Sequence, residues 1–154
     1  MKIHLIRHAE PNHSADSGKD LDRTLTGIGI EQAKALGKHL ASKLENCEVW
    51  CSKAQRTLQT LEGLRESVSL GECRFFLDFH LCPKNTFLHY LWQSDSNEDL
   101  VIIGHNFGIS DLLSYFTNED ITMDTSEYIC IEFENLGRKG LSQGTGIIID
   151  RYRP

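Results

Sequence analysis

The stretch Leu100-Val101-Ile102-Ile103-Gly104-His105-Asn106 runs apolar and unbroken up to a glycine, then a histidine and an asparagine. A short apolar burst without polar alternation suits a strand buried on both faces of a parallel sheet. Beyond it, Phe107, Leu112, Leu113 and Phe116 suggest a helix packed on that sheet. Toward the N-terminus the same alternation continues. Residues 2–6 read as a first strand, followed by a polar loop through Arg23. Ile30, Ala33, Leu36, Leu40 and Leu44 then recur at the spacing of one helix face. Thr26 is a natural N-cap for that helix, and Gly29 and Gly37 are tolerated within it at some cost. Glu48–Cys51 makes a second strand, and Ala54, Leu58, Leu61 and Leu64 mark the next helix. Cys73–Leu77 and Thr86–Gln93 repeat the strand–helix pair. Tyr128–Phe133 and Gly146–Tyr152 read as two closing strands around the turn-rich Asn135–Thr145. Such alternation predicts a layered α/β/α fold with a central, mostly parallel sheet. With no repeat, low-complexity tract or linker, a single domain over residues 1–154 is expected.

Composition narrows the function classes. The 154 residues carry 16 Lys+Arg against 22 Asp+Glu, for a net charge of −6. Between Asn85 and Gly137 there are 10 acidic residues and no Lys or Arg. That is a poor surface for a polyanion, so no nucleic-acid partner is expected. The five cysteines are scattered, without a C-x-x-C pair, which favours a reducing compartment over a disulfide or zinc framework. The apolar run after Met1 is too short for a signal peptide, and no stretch reaches transmembrane length. A cytoplasmic protein without a membrane partner is the expectation.

In parallel sheets ligands bind outside the carboxyl ends of the strands, so chemistry should lie in the loops just after them. Three of those loops carry unusual residues: Arg7-His8-Ala9-Glu10, Cys51-Ser52-Lys53-Ala54-Gln55-Arg56, and Gly104-His105-Asn106. Two guanidinium forks and two imidazoles would converge on one sheet edge. Guanidinium matches phosphate oxygens in bidentate contact. An imidazole offers a nitrogen lone pair near neutral pH, and a helix starting near Asn106 would aim backbone N–H groups at an anion. These are parts for phosphoryl transfer, in which positioning and charge neutralisation dominate.

Each residue taken alone has a plainer reading. His105 could be a satisfied core histidine and Arg56 a helix-face charge. Trp50 and Trp92 read as core or helix-packing residues, Asp111 as a solvated charge, and Glu10, Asn12 and Ser14 as turn formers. A cysteine-based phosphatase would need its thiolate and arginine as C-x5-R, whereas Cys51 to Arg56 is C-x4-R, so Cys51 reads as a buried strand-end residue. The conjunction of the three loops favours a phosphate site.

With those residues in view, Leu5-Ile6-Arg7-His8-Ala9-Glu10 resembles the RHG signature of the histidine phosphatase (phosphoglycerate mutase-like) superfamily. Leu25–Ala33 is similar to its LTxxGxxQA helix start, and Ser52–Thr60 to its SPxxRxxQT segment. Ile103–Asp111 resembles the GHNPG segment of the short SixA-type phosphohistidine phosphatases. The resemblance implies that His8 is a nucleophile that becomes phosphohistidine and is then hydrolysed. It also implies that Arg7, Arg56 and His105 hold the phosphoryl oxygens, with Asn106 as a further phosphate contact. It implies no cofactor and no metal, since arginine and histidine supply the positive charge.

Ala9, Lys53 and Phe107 depart from the pattern in ways that touch loop rigidity more than chemistry. The general acid that larger members carry in an insertion after the third strand has no clear counterpart. Only Asp78 and His80 are candidates, and either could equally be a loop residue. Without a helical lid insertion the site should be shallow and open, suited to a phosphate presented on a protein. A phosphoimidazole also leaves with less need of an enzyme acid than a sugar alkoxide does. The implied substrate is a phosphohistidine-containing protein. The alternatives are a small phosphate ester and a non-catalytic phosphohistidine-binding module.

Overall fold

A computed structural model describes all 154 residues. Ten main elements alternate along the chain: β1 (Lys2–Arg7), α1 (Gly27–Leu40), β2 (Glu48–Ser52), α2 (Gln55–Arg65), β3 (Cys73–Phe76), α3 (Lys84–Gln93), β4 (Leu100–Gly104), α4 (Gly108–Thr117), β5 (Tyr128–Glu132) and β6 (Ile147–Tyr152). Single 3₁₀ turns lie at Asp20–Asp22 and Arg138–Gly140. The sheet order is β3-β2-β4-β1-β5-β6. The first four strands run parallel, β5 runs against β1, and β6 against β5.

Period-two alternation along the strands divides the core into two layers. Ile3 and Leu5 of β1, with Leu100 and Ile102 of β4, face α3 and α4, which contribute Phe87, Leu91, Leu112 and Phe116. Ile6, Val101 and Ile103 face the opposite way, toward Leu36 and Leu40 of α1 and Leu61 and Leu64 of α2. Strand β4 is buried at all five positions, as its apolar run requires. The layered α/β/α architecture and mostly parallel sheet expected from the sequence are both present. No helix is long and apolar enough to cross a membrane, and all five cysteines are unpaired.

Several local expectations are corrected. Helix α1 stops at Leu40, and Leu44 lies in the turn beyond it, although it is still buried. Ile30 is 39% exposed, because the buried stripe of α1 starts at Gly29 and Ala33. Helix α4 begins at Gly108, two residues later than expected, with Phe107 at its cap. Trp50 is buried, whereas Trp92 is half exposed, its indole N–H donating to the Leu141 carbonyl. Thr26 does cap α1, its side chain accepting from the Gly29 N–H at 2.9 Å.

Register decides where the chemistry sits. Arg7 pairs with Gly104 between β1 and β4, and Cys51 with Ile103 between β2 and β4. His8, His105 and Ser52 therefore emerge side by side at the carboxyl ends of three adjacent strands.

Candidate active site

His8 follows β1 directly and is 6% exposed. Its loop is fixed from three directions. The Ala9 N–H donates to the Thr60 hydroxyl at 3.0 Å, and the Ala9 side chain packs on Leu25 and Ala33. The Glu10 N–H donates to Gln32. The Glu10 carbonyl comes so close to α1 that any Cβ at position 29 would collide with it, so glycine is required there. Glu10 and Asn12 are structural: the Glu10 carboxylate accepts from the Thr26 hydroxyl, and Asn12 bonds to Thr24 and Leu25.

Within this frame the His8 Nδ1 lies 2.8 Å from the Ala9 carbonyl oxygen. The Nε2 receives the Arg56 Nε–H at 3.3 Å. Burial lowers the His8 pKa to about 4. The Ala9 carbonyl opposes this, and the positive charges of Arg56, Arg7 and Arg23 add to it. His105 is 1% exposed, with its ring centroid 5.1 Å from that of His8. Its Nε2 is 2.9 Å from the hydroxyl of buried Ser52, while its Nδ1 is buried without a partner. Burial first, then His8, Arg56 and His80, bring its pKa down to about 2. Arg7 donates to the Met123 carbonyl at 2.8 Å and leaves its Nε buried and unpartnered. Its backbone N–H bonds to the carbonyl of Glu127. The fully buried Glu127 carboxylate is in turn held by Arg151 and Arg153.

Arg56, the second residue of α2, is 2% exposed. It donates from both terminal nitrogens to Asp20, to the carbonyl at 2.7 Å and to the carboxylate at 2.8 Å. The same carboxylate oxygen meets His80 Nε2 at 2.7 Å, and its other oxygen takes Arg23 at 2.8 Å. Burial would raise the Asp20 pKa, but hydrogen bonds from Arg23, His80 and Arg56 outweigh it and hold the carboxyl far below its usual range. Asp20 thus ties buried Arg56 to the partly exposed Arg23 and His80.

The structure brings His8, His105, Arg56 and His80 together, the last with its ring 5.4 Å from that of His105, and the charge of Arg7 reaches His8. Asp78 is not among them: it is exposed and accepts from the Tyr90 hydroxyl at 2.6 Å. Asn106 is committed to scaffolding, donating to the Met123 carbonyl and accepting from Ser110. The expected shallow, open site is also corrected, because the loop bearing Asp20 covers Arg56. Cys51 is fully buried with its thiol pushed well up by burial, so it offers no thiolate. Sequence reasoning missed Asp20 and the supporting role of Ser52, although Ser52 sits at a strand end in a segment already singled out.

Residues 3–74 match the family model of the histidine phosphatase superfamily (branch 1), a stretch containing Arg7, His8 and Arg56. Over that stretch the chain is similar to the histidine phosphatase superfamily. A lipopolysaccharide core heptose(II)-phosphate phosphatase of Salmonella typhi is 29% identical over 105 residues, which are 66% of this chain and 51% of that protein. The chain spans about half the length of the curated relatives it matches. Among solved structures, the protein histidine phosphatase SixA complexed with tungstate superposes with a TM-score of 0.83 at 20% identity, covering 98% of this chain and 96% of that one. The phosphoserine phosphatase of Entamoeba histolytica in complex with 3-phosphoglyceric acid gives 0.67 at 12% identity, covering 99% and 97%. These structural likenesses establish a shared fold: the six-stranded sheet and four helices of this chain have the phosphoglycerate mutase-like architecture.

Proposed function

We propose that this protein is a phosphatase that hydrolyses a phosphoryl group through a phosphohistidine on His8, and that its substrate is a phosphohistidine-containing protein. One observation carries the reading. The His8 Nδ1 faces a carbonyl that can only accept, so the ring proton sits on Nδ1 and the lone pair on Nε2, beside the Arg56 guanidinium.

In the first step Nε2 forms a bond to phosphorus as the bond from phosphorus to the leaving imidazole nitrogen breaks, and the electron pair departs with that nitrogen. Arg7, Arg56 and His105 offset charge on the phosphoryl oxygens. The unpartnered Nδ1 of His105 and Nε of Arg7 are the polar atoms left free for that task. His80 stands beside His105 as the group in reach of a leaving-group proton. In the second step a water oxygen bonds to phosphorus as the bond from phosphorus to Nε2 breaks, and the electron pair returns to Nε2. The water gives up a proton to solvent, and inorganic phosphate leaves.

Two apolar side chains support a protein substrate. Phe107, two residues after His105, is 75% exposed, and Leu81, next to His80, is 55% exposed. The Cys82 carbonyl packs against Gly108 so closely that a Cβ there would collide with it, which brings the two segments together at the mouth of the site. A small polar ester has no use for such a rim. A cytoplasmic setting belongs to the same reading, and five unpaired thiols speak for it.

The heptose phosphate phosphatase relatives favour a second reading, a small-molecule phosphomonoesterase with the same His8 chemistry. Turnover measured side by side on a phosphohistidine protein, phospho-amino acids and sugar phosphates separates the two. Acid-labile, alkali-stable radiolabel on His8, absent from His8→Ala, is the expected sign of the intermediate. Phosphate binding without label or turnover would instead mean a binding module.

A further inference from the structure

We propose that Asp20 is a built-in competitor for phosphate: its carboxylate sits on the Arg56 fork where a phosphoryl group binds, and substrate enters by displacing it. This rests on the assignment of Arg56 to the phosphoryl group. Asp20 thereby sets the apparent affinity of the site.

The contacts imitate an oxyanion. One arm of the Arg56 fork donates to the Asp20 carboxylate at 2.8 Å and the other to the Asp20 backbone carbonyl at 2.7 Å, while the same carboxylate also meets His80 and Arg23. Three cationic or cation-capable groups converging on one acceptor group is the pattern that a terminal phosphate requires. Arg56 is buried, while the Asp20 side chain above it is 38% exposed, so Asp20 lies between Arg56 and solvent.

The segment bearing Asp20 is built to come away. Its stem is closed by the Pro11–Leu25 bridge, by the Asn12 N–H donating to the Thr24 carbonyl at 2.8 Å, and by the Arg23 Nε–H donating to the Asn12 carbonyl at 2.7 Å. Between Asn12 and Thr24 no residue is buried. The loop curls around a concavity of about 490 Å³ lined by polar residues and Ala15, with no apolar anchor in the core. Its ties to α2 and to His80 run through Asp20, so loss of the Asp20 contacts releases the loop at little cost in packing.

The strength of the anion decides how readily it displaces Asp20. A tethered carboxylate competes at high effective concentration. A monoanion such as a phosphodiester or sulfate ester brings no more charge than Asp20 itself. A dianionic terminal phosphoryl group brings twice the charge and a third oxygen, so it gains more from the same cations.

The test is calorimetric binding of inorganic phosphate, and of methyl sulfate as the monoanion, to the wild type, Asp20→Asn, Asp20→Ala and Arg56→Ala. Both Asp20 variants should bind phosphate about tenfold tighter, as expected when the competent fraction of a masked site rises from about a tenth to nearly all. Methyl sulfate should gain by the same factor, because masking lowers the apparent affinity of every anion alike. Asp20 variants that keep the wild-type circular dichroism spectrum but bind phosphate equally or more weakly overturn the proposal and make Asp20 a positioning residue. If Arg56→Ala binds phosphate as well as the wild type does, the assignment of Arg56 is what fails.

Discussion

The His8 Nδ1 lies 2.8 Å from the carbonyl oxygen of Ala9, its neighbour in the chain, while the Nε2 faces Arg56. One short contact thus assigns the tautomer. Burial first, and then the charges of Arg56 and Arg7, keep the pKa at about 4 against the opposing effect of the Ala9 carbonyl. The His8 ring is therefore neutral throughout the physiological range, as the proposed nucleophile must be. The acid limb of kcat/KM due to His8 should be centred near pH 4, with no loss from this group between pH 7.5 and 5.5. An ordinary histidine with a pKa of about 6.5 would cost about tenfold in rate at pH 5.5. A loss of that size, tracking the His8 imidazole by NMR, would remove the argument.

Arg56 is placed by α2 and is nearly inaccessible. For Arg56→Ala we expect kcat to fall by about 10²–10³, as for one preorganised charge-stabilising donor. Arg56→Lys should recover only part of this, since an ammonium cannot reproduce the planar fork. Turnover of p-nitrophenyl phosphate checks both variants. A drop of only a few-fold in Arg56→Ala would put the guanidinium outside the transition state.

The strand and helix order was legible because β4 and the α2 face announce themselves by apolar period alone. Arg7, His8, Arg56 and His105 were legible because each lies within a few residues of a strand end, where parallel sheets put their ligands. Asp20 was not legible. It stands in a polar loop with no periodicity, and its reach to Arg56 depends on the loop path, which side-chain bonds such as Arg23 to Asn12 fix. Asp78 and His80 looked equivalent in sequence. They part only because the turn after β3 gives Asp78 to Tyr90 and His80 to Asp20. The end of α1 was misplaced because Leu44 is buried from the following turn and so extends the helical pattern by accident.

His4 lies on β1 facing the α1–α2 layer, 3% exposed, with its Nδ1 2.9 Å from the Tyr128 hydroxyl. Burial lowers its pKa to about 4, with Asp99 the main opposing charge. The folded protein therefore holds the neutral ring, whereas the unfolded chain takes up a proton below about pH 6.5. The resulting stability is complete above pH 6.5 and is lost as the pH falls from there toward 4. At pH 5 the loss from this group is about 2 kcal/mol. Urea unfolding of His4→Gln should thus decline less between pH 7.5 and 5 than the wild type does, by about that amount. Equal slopes would show that His4 is charged in the folded state or contributes nothing.

Leu81 holds a left-handed backbone conformation, φ 50°, which a branched aliphatic residue rarely adopts, and it is more than half exposed beside His80. Such strain persists only where the surrounding structure imposes it, and it gathers at functional sites. Phe107, next to the glycine on which the Cys82 carbonyl packs, is more exposed still. Neither side chain supplies a polar group to the proposed phosphate cluster, so neither should affect a substrate that consists of little besides a phosphoryl group. For Leu81→Ala and Phe107→Ala we expect kcat/KM on a phosphohistidine protein to fall by about 5–30-fold each, as for truncation of a contact worth 1–2 kcal/mol. Turnover of p-nitrophenyl phosphate should stay within about twofold of the wild type, the range of small surface changes. A parallel loss on both substrates would mean that the rim shapes the site itself. No loss on either would leave the protein substrate without a docking surface here and shift the balance to the small-ester reading.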